Sequence, residues 1–388
     1  MTPDSKPPAS AKKPATRRKT AARASSPAPR RTPRAAASPA SDVILYGATG
    51  YTGRLAAAAM EKAGVAVMLA GRNRETLERM AEEFGGEYPV GVAAHDDPAA
   101  LAALAGAGRV MVSTAGPFSE VGELTVAAAV SAGISYLDST GEGDFMRRTH
   151  LRHDAEARRK KVVVVNACAF EYVIGDCAVA LALDAAKDPS EVRVSYWLPT
   201  KTMTHGTLKS ANGVLFSGGT DRDLFKAHKV DFPDVGEKWA VTYPGGEVEF
   251  LRRRRPELKV STLMDLPPLL ARSAGIMPRI GPALALPPIQ AAMNALVSRM
   301  PSGPSPEARA KQEWIILVEV DPGTRKGSSL VVRGADPYGL TGEILARGAS
   351  RVLAGKTLDS GVLAPSEAFA AGEMLDSLAD VGVSWERL

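Results

Sequence analysis

Residues 43–53, Val-Ile-Leu-Tyr-Gly-Ala-Thr-Gly-Tyr-Thr-Gly, decide the fold of this chain. They join a short apolar run to three glycines, Gly47, Gly50 and Gly53. Residues 54–62, which follow, are rich in Ala, Leu, Met, Glu and Lys, all good helix formers. The pattern predicts a strand, a tight turn, and a helix that begins where the turn ends.

A turn of this kind is where the pyrophosphate of a dinucleotide binds in many proteins. Backbone N–H groups at the helix N-terminus point at the phosphate, and the helix dipole favours its negative charge. A side chain at Gly47 or Gly50 would block the approach, and one at Gly53 would hold the helix away from the strand. The alternative is a glycine-rich turn in a fold that binds no ligand. The predicted cofactor contacts in the turn are Gly47, Thr49, Gly50, Tyr51, Thr52 and Gly53.

The length and composition indicate the class of protein. A chain of 388 residues with 45% hydrophobic content can build a large core, and we expect two domains and a tail. Two cysteines, Cys168 and Cys177, are too few for a disulfide framework, and no cluster of Cys or His predicts a metal site. No secretory apolar region follows the N-terminus, so we expect a cytoplasmic protein.

The positive charge of the chain is concentrated in residues 1–40. This segment holds ten Lys and Arg against one acid, so that 38 basic and 42 acidic residues remain from position 41 onward. Its Pro, Ala and Ser content cannot offset the entropy cost of ordering, so we predict a disordered tail. A solubilising role, contact with an anionic partner such as nucleic acid or a membrane surface, and an organelle transit peptide all fit this composition. The tail contains no specific nucleic-acid motif.

The end of the second predicted strand indicates which dinucleotide binds. Residues 65–70 are apolar and lead into Arg72, Asn73 and Arg74. An NAD-selective site places an acid here for the ribose hydroxyls, whereas an NADP site places arginine to meet the 2′-phosphate. No acid occurs in this stretch, so we predict NADP(H) as the cofactor, contacted by these three residues. Alternatively they are a solvated helix start, which Asn73 caps.

Two later strand ends complete the predicted cofactor site. Residues 89–92 lead to Asp96, placed to contact the adenine amino group, and to Asp97, which precedes Pro98 and is predicted to cap a helix. Residues 110–113 run into a loop of small residues and a proline, where the nicotinamide and its ribose could pass close to the backbone. The predicted contacts in this loop are Thr114, Ala115, Gly116 and Pro117.

Strands and helices alternate regularly as far as residue 166, which predicts an α/β fold with a Rossmann-type doubly wound parallel sheet. From about residue 190, alternating runs predict a second α+β domain with a mostly antiparallel sheet. We expect this domain, over 189–335, to carry the substrate surface and a homodimer contact. The NADP-binding domain is predicted over 41–188, and helices in 336–388 are predicted to pack back on it. Predicted strands of the second sheet are 192–198, 239–243, 258–262, 314–320 and 330–333, and the predicted C-terminal helices are 340–353 and 366–378, with Ser366 as an N-cap.

Four motifs together resemble the saccharopine dehydrogenase-like NADP-binding family. They are the glycine turn, the Ala-Gly-Arg end of the second strand at 70–72, Ala-Gly-Pro-Phe at 115–118 and Tyr-Leu-Asp-Ser-Thr-Gly-Glu at 136–142. Within that family the chain is most similar to trans-acting enoyl reductases of bacterial lipid and polyketide assembly. The resemblance covers residues 43–184, and returns at 336–340 and 361–365. It implies an NADPH-dependent oxidoreductase of lipid metabolism.

The chain departs from the family near the expected substrate position. Where members carry Gly-Phe-Asp-Ser-x-Pro, this chain has Ala-Phe-Glu-Tyr-Val-Ile at 169–174, although Phe170 and Asp176 fit the pattern. Tyr172, Glu171 and His205 are the candidate proton donors, with structural roles as the alternative. No tyrosine has Lys four residues later, so the mechanism of short-chain reductases is disfavoured.

Residues 266–300 are rich in Leu, Pro, Ala and Met, and their prolines and two arginines exclude a simple membrane-spanning helix. Burial against the sheet, a groove for an acyl chain, and contact with a membrane surface are the three interpretations. The arginine run 252–255 is interpreted as a solvated or partner-facing charge run. The apolar segment favours reduction of a C=C, C=O or C=N bond in a hydrophobic or carrier-bound acyl substrate. Saccharopine-type amino-acid chemistry and a non-catalytic NADP-binding sensor or scaffold are the alternatives.

Overall fold

Two seven-stranded sheets organise the part of the chain that the structure describes. This computed structural model describes residues 41–86, 88–199, 204, 224–284, 286–297, 303–324 and 327–388. The tail and His205 lie outside these ranges, so the disorder of the tail and a catalytic role for His205 stay predictions. The described residues belong to one compact unit.

The elements run in the following order. The strands are β1 Val43–Tyr46, β2 Val67–Gly71, β3 Val90–Val92, β4 Val110–Ser113, β5 Ser135–Asp138, β6 Val163–Val165, β7 Glu191–Trp197, β8 Ala227–Phe232, β9 Gly236–Tyr243, β10 Lys259–Asp265, β11 Glu313–Val320, β12 Ser328–Ala335, β13 Gly361–Leu363 and β14 Ser384–Arg387. The α-helices are α1 Tyr51–Lys62, α2 Arg74–Glu83, α3 Pro98–Ala105, α4 Phe118–Ala132, α5 Gly143–Lys160, α6 Phe170–Ala185, α7 Gly246–Arg254, α8 Pro268–Ser273, α9 Met277–Leu284, α10 Pro287–Val297, α11 Pro306–Ala310, α12 Pro337–Leu353, α13 Pro365–Ala368 and α14 Ala371–Asp376.

The first sheet is entirely parallel, with the order β13-β6-β5-β4-β1-β2-β3. The order in which strands are added reverses between β1 and β4, because β2 and β3 lie on one side of β1 and β4 to β6 on the other. This confirms the predicted doubly wound sheet, and it places the expected ligand crevice at the carboxyl ends of β1 and β4. The apolar runs of β1 and β4 are buried throughout, as a central parallel strand requires.

The second sheet has the order β14-β12-β11-β7-β10-β9-β8. Only β7 and β10 pair in parallel, and the other neighbours are antiparallel, so the predicted mostly antiparallel sheet is confirmed. Strands β8, β13 and β14 carry weak sequence patterns and were missing from the prediction. Helix α6 lies between the two sheets, where the ring of Phe170 packs 4.8 Å from that of Trp314 on β11.

The C-terminal helix α12 packs closely on α1, since a Cβ atom on Gly342 would lie 2.8 Å from the backbone of Leu55. The predicted helix 366–378 is wrong: the chain forms α13, α14 and a 3₁₀ turn, Ala379–Val381, instead. Ser366 therefore lies inside α13 rather than at its N-cap. Its backbone N–H donates to the buried carboxylate of Asp176. The division into domains at 188 and 335 stays a prediction.

The apolar segment after β10 is less buried than the simplest interpretation predicted. Leu269 is 79% exposed and Leu270 55% exposed, and Ile276 and Leu286 are each half-exposed. Burial against the sheet is therefore wrong for these side chains, although Ala271 and its neighbours do pack on β9. No described helix combines the length and the apolar character needed to cross a bilayer.

Candidate functional site

The turn between β1 and α1 has no room for side chains at two of its glycines. Gly47 has a φ angle of +86°, and a Cβ atom there would lie 2.7 Å from the backbone nitrogen of Ala115. A Cβ atom on Gly53 would lie 2.3 Å from the carbonyl oxygen of Gly47. Only glycine therefore lets the first turn of α1 pack this closely on the end of the strand.

The N-terminus of α1 has the features that a phosphate group needs. Its N-cap residue is Gly50, no side chain caps the helix, and the first turn contains no acid. Uncapped N–H groups and the helix dipole together favour an anion. The turn therefore fits the pyrophosphate of a dinucleotide, and contacts from Thr49, Gly50 and Thr52 stay predictions.

The side chain of Tyr51 is engaged by a distant segment of the chain. Its hydroxyl donates to the carbonyl oxygen of Pro304 at 2.7 Å, and its ring lies edge-on to Tyr338 with 5.5 Å between centroids. A Cβ atom on Gly303 would lie 2.6 Å from the same ring. Residues 303–304 are thus fixed beside the glycine turn, and a cofactor contact from Tyr51 would use its backbone.

Arg72 directly follows β2 and is exposed, where the 2′-phosphate of NADP was predicted to bind. Within the described residues it forms no ion pair. Arg72 and Asp96 both act electrostatically on the hydroxyl of Tyr46, whose pKa is raised by burial. The two predicted contacts, on different strand ends, therefore both lie near Tyr46 at the carboxyl end of β1.

The neighbours of Arg72 have structural partners. The side chain of Asn73 accepts a hydrogen bond from the N–H of Thr76 at 3.2 Å and caps α2, as its alternative interpretation predicted. Arg74 pairs with Glu78 one turn later at 3.2 Å. Asp97 likewise caps α3, as predicted, by accepting from two backbone N–H groups. Arg72 is consequently the arginine of this loop best placed for a phosphate.

The loop after β4 is tied to the glycine turn and to the end of β5. The hydroxyl of Thr114 donates to the carbonyl oxygen of Gly47 at 3.1 Å. The buried carboxylate of Glu142 accepts from the N–H groups of Phe118 and Ser119, each at 2.8 Å, and caps α4. The loop of Thr114, Ala115, Gly116 and Pro117 is therefore held on both sides, and its contacts with nicotinamide stay predictions.

A buried aspartate joins the ends of β5 and β6. Asp138 accepts from the N–H groups of Thr140 and Ala167 at 3.0 and 2.9 Å, and from the side-chain amide of Asn166 at 2.7 Å. Burial raises the pKa of Asp138 to about 6, although all three hydrogen bonds oppose the shift. The sequence predicted no role for Asp138 beyond its place in the motif at residues 136–142.

Tyr172 and Glu171, two of the predicted catalytic residues, lie in the first turn of α6. Tyr172 is buried, its hydroxyl is 3.5 Å from the carbonyl oxygen of Gly141, and its ring packs on Gly246. Glu171 is partly buried, which raises the pKa of its carboxyl to about 7. Tyr172 thus spans the distance from the loop after β5 to the start of α7.

Behind Tyr172 lies a buried acid that sequence reasoning missed. Glu247 is fully buried, its Oε1 forms a short hydrogen bond with the hydroxyl of Tyr196, and its Oε2 has no partner among the described residues. Burial, with smaller contributions from the charges of Asp176 and Glu171, raises the pKa of Glu247 to about 8. Among the described residues, the hydroxyl of Tyr243 is likewise buried without a hydrogen-bond partner.

The hydrogen bonds of Tyr196 indicate the protonation state of Glu247. The Tyr196 hydroxyl lies 3.2 Å from the backbone carbonyl oxygen of Glu171, which can only accept a hydrogen bond. A phenol has one proton, so if Tyr196 donates to that carbonyl then Glu247 must donate to Tyr196. The geometry accommodates a protonated Glu247, and burial, which raises the pKa of Glu247 to about 8, favours the neutral carboxylic acid near pH 7.

A glycine explains how the acid fits between the elements. A Cβ atom on Gly175, in the middle of α6, would lie 2.3 Å from Glu247 Oε1 and 2.5 Å from the Tyr196 hydroxyl. A glycine inside a helix costs about 1 kcal/mol relative to alanine, so this position needs a packing reason. Gly175, one residue before Asp176, is therefore the feature of the sequence that could have indicated a group packed closely against this helix.

Two of the four arginines at 252–255 are not solvated. Arg253 and Arg254 are half-buried and pair with Glu367 and Asp176 respectively. The interpretation of 252–255 as a solvated charge run is therefore wrong for these two residues. Because their guanidinium groups already bind carboxylates of this chain, they hold α7 against α13 and α6.

Residues 43–165 match the family described as saccharopine dehydrogenase NADP binding domain. A trans-acting enoyl reductase of Mycobacterium tuberculosis is 33% identical over 239 residues, which cover 55% of this chain and 53% of the relative. A trans-acting enoyl reductase of Mycobacterium leprae is 35% identical over 143 residues, 36% of this chain and 34% of the relative. The chain spans about half or less of the length of these relatives.

The similarity to solved structures extends to both sheets. Apo saccharopine dehydrogenase (L-Glu forming) from Saccharomyces cerevisiae aligns with a TM-score of 0.59 over 90% of this chain and 100% of that chain. The two are 11% identical, so the likeness shows a shared fold. The glycine turn and the family match together bear out the prediction of NADP(H). The match to the saccharopine dehydrogenase NADP binding domain is thus confined to residues 43–165 of this chain.

Proposed function

We propose that this protein is an NADPH-dependent oxidoreductase that reduces a C=C, C=O or C=N bond in a hydrophobic or carrier-bound acyl substrate. The observation that carries the proposal is the glycine turn, whose uncapped helix N-terminus lies at the same sheet edge as exposed Arg72. The names of the Mycobacterium relatives support a 2-enoyl thioester as the first substrate to test.

When bound, NADPH supplies the hydride, and the protein must then supply a proton. The raised pKa of Glu247 favours its protonated form at neutral pH, and its hydrogen bond with the hydroxyl of Tyr196 keeps this acid inside the fold. Tyr172 and Glu171 lie between this acid and the loop after β5, where substrate should meet the nicotinamide. We assign Glu247 the role of proton reserve, and Tyr172 and Glu171 that of the groups nearer the substrate.

The exposed apolar side chains of α8 support a hydrophobic substrate. Leu269 and Leu270 present apolar surface to solvent at a sheet that contains Tyr196 and Tyr243. Saccharopine-type chemistry has less support, because its substrate carries several carboxylates. Arg253 and Arg254, the half-buried arginines of α7, are already paired with carboxylates of the protein.

Purified protein should consume NADPH when it is given a panel of enoyl, keto and imine substrates, with acyl thioesters of increasing chain length. We expect a turnover that rises with chain length, because a longer acyl chain removes more apolar surface from water. The same panel with NADH is the control. If no member of the panel consumes NADPH, the proposal is wrong.

Replacing Arg72 with alanine should reduce selectivity for NADPH. A charge-assisted contact with a phosphate contributes about 1.5–3 kcal/mol, so we expect NADPH to bind about 10–100-fold more weakly and NADH to bind unchanged. The measurement is a fluorescence titration with each nucleotide. Arg79→Ala, at an exposed arginine of α2, is the matched control and should leave both affinities unchanged. Equal losses for NADPH and NADH in Arg72→Ala would contradict the assignment.

A further inference from the structure

Helices α8 and α9 carry a large share of the exposed apolar side chains of this protein. Among the described residues ten large apolar side chains are exposed, and five of them lie within 269–286. These five are Leu269, Leu270, Ile276, Ile280 and Leu286. Single exposed leucines are normal on a folded protein, but a concentration in one short segment is typical of an interaction surface.

The exposed side chains share one face of a continuous helical run. A single 3₁₀ turn joins α8 directly to α9, so residues 268–284 are helical throughout. Leu269, Ile276 and Ile280 are separated by seven and four residues, and this spacing places them on the same face of a helix. Their exposed fractions are 79%, 51% and 38%. The three side chains therefore form one apolar stripe, which we call the α8–α9 stripe.

The opposite face of the same run packs on the second sheet. Ala271 and Ala274 are buried there in a small cluster with Val241 of β9. In an ordinary surface helix the large apolar side chains face the core and the polar ones face solvent. Here the small side chains face the sheet and the large ones face solvent. Packing within this fold therefore does not explain the α8–α9 stripe.

The charge of this segment is positive only. Residues 266–306 contain Arg272, Arg279 and Arg299 but no Asp or Glu. Because 43 of the 388 residues are acidic, a stretch of this length would ordinarily hold about four or five acids. Arg272 and Arg279 are exposed, and neither forms an ion pair within the described residues. The segment therefore combines an apolar stripe with positive charge that no acid of the segment balances.

The charged groups next to the segment do not alter this balance. The guanidinium of Arg272 lies over the ring of Trp239 at 5.1 Å, a contact that holds its position but leaves its charge. Lys229, which also lies over that ring, pairs with Glu237 at 2.6 Å, so these two charges cancel. Asp265 directly precedes the segment, and its side chain accepts from the backbone N–H of residue 198 at the end of the sheet.

The charge distinguishes a lipid surface from a second copy of the chain. A symmetric dimer places the same residues on both sides of its interface, so this face would set arginine against arginine with no acid to pair. An anionic bilayer offers phosphate groups to the arginines and hydrocarbon to the α8–α9 stripe. Amphipathic helices that bind in this way lie in the plane of the membrane surface and need not be long enough to cross it.

We propose that the α8–α9 stripe binds the surface of an anionic phospholipid bilayer. Leu269, Ile276 and Ile280 enter the boundary between head groups and acyl chains, and the guanidinium groups of Arg272 and Arg279 contact lipid phosphates. A lipid surface is also where hydrophobic acyl substrates collect. The inference goes beyond the proposed function, and it is tested without NADPH or substrate.

Co-flotation of the full chain with lipid vesicles tests the contact. The protein should bind vesicles of equimolar phosphatidylcholine and phosphatidylglycerol, and should bind phosphatidylcholine alone about tenfold more weakly. Leu269→Glu should weaken binding to the anionic vesicles at least about tenfold, because it removes an apolar contact and adds a negative charge. Leu151→Glu, at a leucine of α5 that is 75% exposed, makes the same change elsewhere and should bind as the wild type does. Unchanged binding in Leu269→Glu would overturn the proposal.

A fluorescent probe locates the contact, because the basic residues 1–40 could also hold the chain on an anionic vesicle. The environment-sensitive fluorophore NBD is attached to Leu269→Cys or to Leu151→Cys. The native Cys168 and Cys177 are buried, so the label reacts at the new cysteine. NBD emission at position 269 should rise and shift to the blue when anionic vesicles are added, and emission at position 151 should stay constant. A change at neither position, or at both, would refute the assignment.

Sedimentation of the lipid-free protein decides between a bilayer and a second copy of the chain as the occupant. Wild-type protein and Leu269→Glu should sediment alike, since the α8–α9 stripe then has no role in self-association. If the wild type forms a dimer that Leu269→Glu dissociates, the stripe belongs to a dimer interface and the proposal is wrong.

Discussion

Replacing Gly53 with alanine is expected to weaken NADPH binding about 30–100-fold and to lower the stability of the fold. The added Cβ atom would lie 2.3 Å from the carbonyl oxygen of Gly47 and 2.6 Å from that of Ala48. Both are backbone atoms, which cannot rotate away as a side chain can. The helix start must therefore move off the strand, at a cost of about 2–3 kcal/mol. That movement displaces the N–H groups predicted to hold the pyrophosphate.

Fluorescence titration with NADPH and thermal unfolding measure the two effects of Gly53→Ala. Gly372→Ala is the matched control, because it makes the same change in helix α14, where the nearest atom would be 3.9 Å away. That variant should bind NADPH normally and be slightly more stable, since alanine is the better helix former. Wild-type NADPH affinity in Gly53→Ala would show that the turn does not hold the pyrophosphate.

Replacing Glu247 with glutamine is expected to flatten the dependence of stability on pH. The carboxyl pKa rises from 4.5 to about 8 in the fold, so the folded state holds a proton that the unfolded state releases. The contribution of this carboxyl group to the free energy of unfolding is fully present below pH 4.5 and is lost as the pH rises through 8. Between pH 6 and pH 9 the loss is on the order of 3 kcal/mol. Glutamine keeps a neutral side chain of the same shape and removes the titration.

The measurement is the free energy of unfolding from urea denaturation at pH 6, 7, 8 and 9. Wild-type protein should lose stability across this series, and Glu247→Gln should lose less. The variant should still lose some stability, because Glu171 and Asp138 remain and their raised pKa values act in the same direction at lower pH. Tyr196, Tyr243, Tyr172 and Asp176 are the other titratable groups that face Glu247. Glu237→Gln, on the exposed end of β9, is the control and should follow the wild type. Parallel pH curves for wild type and Glu247→Gln would refute the neutral acid.

The first sheet could be predicted because its signals are local. Each strand is a short apolar run followed by a turn, and strand β4 covers the predicted residues 110–113. The steric need for glycine at Gly47 and Gly53 followed from the turn type alone. These features depend on residues that are neighbours in the chain.

The buried acid could not be predicted because its partners are distant in the chain. Glu247 meets Tyr196 and Glu171 only after β7, α6 and α7 have packed together, and no spacing in the sequence encodes that meeting. The same reason explains the arginines of α7, whose carboxylate partners lie at Asp176 and Glu367. The helix predicted over 366–378 failed because a periodic apolar pattern does not show where the backbone turns.

The last strand of the parallel sheet has a consequence for how the chain is made. Strand β13, at residues 361–363, pairs with β6 and completes the first sheet, but the whole second sheet except β14 precedes it along the chain. During synthesis the ribosome must therefore release the chain through residue 363 before β6 can gain its outer neighbour. Until then the edge of β6 presents unpaired N–H and C=O groups, which are prone to pair with another chain. The interval between the synthesis of β6 and β13 is thus the period in which the nascent chain most needs protection by a chaperone.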